Sequence, residues 1–117
     1  MFDYSKISFN ECDKDEIPVQ FFFSYDMSID DLDTFRAYYI DEEDIPDDKE
    51  IIKIELCLTM FSENDFKLEA VCNLDDGSQE WVELWDKVHN IDGFSEVLNS
   101  AGVDVNSIFR EVHMKNS

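Results

Sequence analysis

A chain of 117 residues with a net charge of −20 is long enough for one hydrophobic core and too short for two domains. Apolar residues make up 44% of the sequence and aromatic residues 14%, so the chain can bury enough surface to fold despite repulsion among its carboxylates. We expect a single acidic domain over residues 1–117. A negative charge of this size disfavours direct binding to nucleic acid or to anionic membranes.

The first half of the sequence predicts two strands. Residues 19–26 are rich in aromatic side chains and follow a proline, which favours a strand with alternate residues on one buried face. The residues on that face are Val19, Phe21, Phe23 and Tyr25. Residues 7–12 are the expected hairpin partner of this strand.

A helix is predicted after these strands. Ser28 is an N-cap residue followed by carboxylates, which favour the positive end of the helix dipole. The spacing of Ile29, Leu32, Phe35 or Arg36, and Tyr39 extends this helix to about Ile40. Residues 41–50, with the sequence DEEDIPDDKE, follow at once, and Pro46 makes them a loop instead of a helical extension.

Alternation of apolar and polar residues predicts a second hairpin. In residues 51–61 the inward side chains are Ile52, Ile54, Leu56, Leu58 and Met60, and in residues 66–74 they are Phe66, Leu68, Ala70, Cys72 and Leu74. Matching these faces requires a connection of odd length or a β-bulge. The same alternation places Cys57 and Cys72 on opposite faces, so we expect no disulfide between them.

Asp76 and Gly77 predict a further tight turn, which leads into a strand over residues 79–86. On that strand Trp81 and Trp85 share one face and Val82 and Leu84 share the other. We expect such a strand to be covered on both faces by helices. The alternative is that the tryptophans form an exposed hot spot for a partner.

The C-terminal part of the sequence changes to helical periodicity. Phe94, Val97, Leu98 and Ala101 form one apolar stripe, and Val105, Ile108, Phe109 and Val112 form another, with Gly102 between the two helices. The predicted fold class is therefore α+β, with an antiparallel β-meander covered by short amphipathic helices.

Groups that could carry catalysis are sparse. His89 and His113 have no metal-binding spacing to each other or to Cys12, Cys57 or Cys72, and the three single glycines cannot form a phosphate-binding loop. The loop 41–50 lacks the glycine of an EF-hand, so it predicts at most weak, nonspecific binding of divalent cations. We expect no enzyme, no catalytic residue, no metal site and no cofactor.

The chain has three cysteines, a small and odd number that does not suit a disulfide framework. This count favours free thiols in a reducing compartment. No apolar run reaches the ~20 residues of a membrane span, and the N-terminal residues lack the pattern of a secretion signal. The expected localisation is cytoplasmic.

Negative charge is concentrated in the middle of the chain. Residues 26–50 hold eleven acidic and two basic residues, a net charge of −9, which is nearly half of the total in about a fifth of the sequence. Carboxylates spaced along a helix or loop can bind the lysines and arginines that otherwise contact phosphates. The predicted partner-binding residues are Asp30, Asp31, Asp33, Asp41, Glu42, Glu43, Asp44, Asp47, Asp48 and Glu50.

In size, charge and expected fold the chain resembles the small acidic bacterial DNA-mimic proteins, especially the monomeric kind that binds the histone-like protein HU. The resemblance implies a non-catalytic monomer that covers the DNA-binding surface of HU or of another basic DNA-binding protein. An alternative is an immunity protein that neutralises a basic nuclease toxin. A third class, an acidic enzyme, would need a concave pocket with raised carboxylate pKa values.

Overall fold

The computed structural model of the chain describes residues 3–15, 17–62, 65–84 and 92–115. After a short 3-10 turn at Tyr4–Lys6, the elements are β1 (Ile7–Asp13), β2 (Val19–Tyr25), α1 (Ile29–Tyr39), β3 (Ile51–Ser62), β4 (Asp65–Leu74), β5 (Gln79–Glu83), α2 (Asp92–Ser100) and α3 (Val105–Lys115). The five strands form one antiparallel sheet in the order β1-β2-β3-β4-β5. Because each strand pairs with its neighbour in sequence, the predicted α+β meander is confirmed.

One face of the sheet forms the hydrophobic core with the helices. Alternate residues of β2, from Val19 to Tyr25, are buried as predicted, and they pair with the inward residues of β3. Leu32 and Phe35 of α1, Phe94 of α2 and Phe109 of α3 belong to the same buried cluster. Burying this apolar surface supplies the main favourable free energy for folding a chain that repels itself.

The opposite face of the sheet, which we call the outer face, lies outside this cluster. Cys57, Thr59 and Val71 are buried there, while every buried helical residue of the described ranges belongs to the core cluster. The buried side chains of the described helices therefore pack on one face of the sheet. Trp81 lies on the outer face and is 47% exposed, so the expectation that its strand is covered on both faces is wrong at this residue. Trp85 lies outside the described residues.

The predicted inward face of β3 is correct from Ile54 to Met60 and wrong at Ile52. The pairing register between β3 and β4 shifts between Ile51 and Lys53, which indicates a β-bulge at this end of the strand. A bulge moves the residues beyond it to the other face. As a result Ile51 is 6% exposed and Ile52 is 58% exposed. A second shift, between Met60 and Ser62, meets the predicted requirement for a bulge or an odd connection in this hairpin.

The helices begin and end close to the predicted residues. The predicted apolar stripes include exposed residues only at their ends. Ser28 forms a capping box with Asp31, whose amide donates to the Ser28 hydroxyl over 3.2 Å. Ile29 is 74% exposed because it is the first residue of α1 and precedes the turn that packs on the sheet. Ala101 is exposed because α2 ends at Ser100. Gly102 then takes the left-handed conformation, with φ of +79°.

The bulge in β3 can be tested with two neighbouring isoleucines. Ile51→Ala should lower the free energy of unfolding by about 2–5 kcal/mol, because it leaves a cavity beside the core. Ile52→Ala should lower it by less than about 1 kcal/mol, because that side chain is in solvent. Urea unfolding of both variants measures the difference. Equal losses, or a larger loss for Ile52→Ala, would contradict the bulge.

Candidate functional site

The acidic loop 41–50 has a defined conformation. The amides of Asp44 and Ile45 donate to the Asp41 carbonyl over 3.0 and 3.2 Å, and the Lys49 amide donates to the Pro46 carbonyl over 3.1 Å. Ile45 is the one buried residue of the ten, at 1% exposure, and it joins the core cluster. All seven carboxylates of the loop belong to exposed residues. The loop is therefore anchored in the core by one apolar side chain and carries its carboxylates on the solvent side.

Arg36 of α1 fastens this loop to the helix. Its guanidinium donates to three loop carbonyls: that of Lys49 over 2.5 Å, that of Pro46 over 2.7 Å and that of Ile45 over 3.4 Å. A planar guanidinium suits this role because its donors point in several fixed directions at once. Arg36 thus binds loop backbone, and the loop carboxylates stay available at the surface.

The end of the loop is fixed to the turn between β4 and β5. The Asp75 amide donates to the Glu50 carbonyl over 3.0 Å, and the Lys49 ammonium lies 3.4 Å from an Asp76 carboxylate oxygen. Hydrogen bonds from the Ser78 hydroxyl and amide, together with Lys49, lower the pKa of Asp76. Asp75 and Asp76 are exposed and extend the acidic surface of the loop.

From the sequence alone, Asp76 is predicted only as a turn residue and Asp75 has no predicted role. The pair of adjacent carboxylates was visible in the sequence, but its position beside Glu50 depends on the pairing of β3 with β4. The β4–β5 turn therefore joins the acidic surface through tertiary structure.

A cleft of about 330 Å³ lies between α1 and the loop. Asp33 of the helix and Glu42 and Asp47 of the loop line it together, with Ile40 and Ile45 among its apolar walls. Three of the predicted partner-binding residues are therefore brought together around one depression. Arg36 also lines the cleft, and Ile40 and Ile45 are buried, so its accessible walls are mainly charged.

The three aspartates of α1 differ in their environments. Asp30 and Asp33 are exposed. Asp31 accepts a hydrogen bond from the Lys6 ammonium at 2.9 Å and is the partner of Ser28 in the capping box. The Lys6 contact is the main cause of the lowered pKa of Asp31, followed by the bonds from Ser28. Asp31 is thus committed to intramolecular contacts, unlike its two neighbours.

The cysteines lie where alternation predicts. Cys57 opposes Glu69 on the outer face and Cys72 opposes Ile54 on the core face, so their side chains point away from each other. Both are buried and all three cysteines are free thiols. Burial raises the pKa of Cys57, and raises that of Cys72 to about 12, which keeps both thiols protonated near neutral pH.

Other titratable groups add little chemistry. The described carboxylates with a shifted pKa, Asp31, Asp76 and Asp104, all shift downward, whereas a general acid at neutral pH needs an upward shift. His113 is exposed on α3, and His89 lies outside the described residues. Within the described ranges, no group of three or more His, Cys, Asp or Glu side chains could hold a metal ion.

Comparisons with known proteins identify no family for this chain. No family model matches it, and no curated protein or solved structure is significantly similar to it. In the part of the chain that the structure describes, no helix has both the length and the apolar character needed to cross a membrane.

The role of Arg36 can be tested by Arg36→Lys, which keeps the charge and removes the fork of donors. We expect the free energy of unfolding to fall by about 1–3 kcal/mol, because the loop carbonyls lose charge-assisted hydrogen bonds. The amides of Ile45 and Lys49 should exchange with solvent faster, as measured by hydrogen–deuterium exchange. Arg110→Lys, at the other arginine of the chain, is the control and should change neither value. Unchanged exchange at Ile45 and Lys49 in Arg36→Lys would contradict the role of Arg36.

Proposed function

We propose that this chain is a non-catalytic DNA-mimic protein, a cytoplasmic monomer whose acidic surface binds the DNA-binding face of a basic protein such as histone-like HU. The acidic surface consists of the loop 41–50, the exposed aspartates of α1 and the β4–β5 turn. The observation that carries the proposal is the fixed conformation of the loop, held by Arg36 and Ile45 while all its carboxylates remain exposed.

The ordered conformation of the loop distinguishes this surface from a flexible acidic segment that is only solvated. A flexible acidic segment would lose conformational entropy on binding, whereas a loop that is already ordered loses less. Carboxylates held a few ångströms apart can replace phosphates as acceptors for lysine and arginine, because phosphate contacts supply most of the sequence-independent affinity of DNA-binding proteins. The overall charge of −20 would also speed the encounter with a basic partner.

A second candidate function is an immunity protein that neutralises a basic nuclease toxin. The observation that favours it is the exposure of Trp81 on the outer face, since tight inhibitory interfaces have aromatic anchors at their centre. The two functions share a basic partner and differ in the kind of contact. A DNA mimic depends mainly on charge, whereas an immunity protein depends on an apolar centre as well.

The proposal can be tested by neutralising the six carboxylates Asp41, Glu42, Glu43, Asp44, Asp47 and Asp48 to Asn or Gln. Binding of this loop-neutralised variant to purified HU should weaken by at least about tenfold, because the contacts are charge pairs within a Debye length of about 8 Å. Its thermal stability should be unchanged or higher, since like-charge repulsion falls. Calorimetric titration and thermal unfolding measure the two effects.

The matched control removes six exposed carboxylates elsewhere: Glu11, Asp13, Asp15, Asp65, Glu96 and Glu111. The control has the same net charge as the loop-neutralised variant, so a long-range effect of charge alone would weaken both equally. We expect the control to bind HU more tightly than the loop-neutralised variant. Equal affinities, or full binding by the loop-neutralised variant, would refute the acidic surface as the binding site.

A further inference from the structure

The outer face of the sheet carries a repeated arrangement of charge. Lys53 lies 3.5 Å from Glu55 on β3, and Lys67 lies 3.5 Å from Glu69 on β4, so each glutamate has a lysine two residues earlier on its own strand. On β5 the equivalent glutamate is Glu83, and the residue two positions before it is Trp81. The third strand of the series thus has an indole in place of the ammonium group.

Glu83 therefore lacks the compensation that the other two glutamates have. It is exposed, directly opposes Glu69 across the β4–β5 ladder, and forms no ion pair within the described part of the chain. Carboxylates directly opposite each other have Cβ atoms only about 4.5–5.5 Å apart, and such like-charge pairs destabilise a sheet. A cation supplied from outside would relieve this repulsion.

Trp81 stands beside this uncompensated charge. It opposes the buried Val71 and is 47% exposed. Residues two apart on a strand are about 6.7 Å apart on the same face, so one bound side chain can reach both the indole and the Glu83 carboxylate. An indole binds cations through its ring face more strongly than other aromatic side chains do.

The same region continues into the acidic surface. β5 begins directly after the β4–β5 turn, whose Asp75 and Asp76 contact the loop through Glu50 and Lys49. β5 is an edge strand of the sheet, so a partner that covers this turn can extend along the edge to Trp81.

We propose that Trp81 and Glu83 form a receptor for an arginine side chain of the basic partner, an inference that rests on the proposed function. A guanidinium can stack on the indole and donate paired hydrogen bonds to the carboxylate at the same time, which an ammonium cannot do. A second copy of the chain is a poor occupant, because two chains of −20 repel each other. The rest of the interface attracts any basic side chain through its charge. The receptor would in addition favour arginine over lysine.

The experiment compares two short peptides, one of alternating arginine and glycine and one of alternating lysine and glycine. Each is titrated into the nitrogen-15-labelled protein, and the indole N–H signal of Trp81 is assigned by its absence from Trp81→Phe. We expect the arginine peptide to shift this signal and to bind about three- to tenfold more tightly than the lysine peptide. Trp81→Ala and Glu83→Gln should each remove most of that preference.

Glu96→Gln is the matched control, because it removes one exposed carboxylate from α2, which packs on the core face. It should keep the preference for arginine. An unshifted Trp81 signal, equal affinity for the two peptides, or an undiminished preference in Trp81→Ala would overturn the receptor. Sedimentation that reveals a dimer abolished by Trp81→Ala would overturn it in favour of a second copy.

Failure of the proposed function would look different. The loop-neutralised variant should bind both peptides more weakly while keeping the preference for arginine. If it binds HU as the parent does, the acidic surface is refuted. The arginine preference and its loss in Trp81→Ala are measured independently of that result.

Discussion

Repulsion among the carboxylates is the constraint under which every part of this fold forms. A chain with a net charge of −20 folds only if apolar burial outweighs that repulsion, and a core shared by the sheet and the helices of the described residues provides the burial. The lysines serve mainly to relieve repulsion locally, as in the pairs Lys6–Asp31 and Lys49–Asp76. Such exposed pairs contribute little individually, so the core is the part that cannot be lost.

The same repulsion explains why different residues order the acidic loop and carry its charge. Carboxylates that repel each other would by themselves favour an extended, mobile loop. Ile45 opposes this by joining the core, and Arg36 opposes it by binding three loop carbonyls instead of the loop carboxylates. The fold thereby converts a charge run into an ordered surface without neutralising it. Asp31 shows the contrast, because its carboxylate is used within the molecule by Lys6 and Ser28.

Local patterns in the sequence were sufficient for most of the fold. Alternation fixed the faces of β2 and β4, and capping residues located the start of α1, because these features depend on neighbours in the sequence. The bulge that exchanges Ile51 and Ile52 depends on pairing with a distant strand, so alternation alone missed it. The acidic residues were evident from composition, whereas the role of Arg36, the inclusion of Asp75 and Asp76, and the exposure of Trp81 all arise from tertiary contacts.

The central claim is that the acidic surface takes the place of DNA on a basic protein, and competition with DNA tests it most directly. Fluorescently labelled duplex DNA is bound to purified HU, the acidic protein is added, and the fluorescence anisotropy of the DNA is followed at low and high salt. DNA mimicry predicts that the anisotropy falls to that of free DNA, and that direct binding of the acidic protein to HU, measured without DNA, weakens as salt rises. DNA that stays bound while the acidic protein joins the complex would contradict the claim.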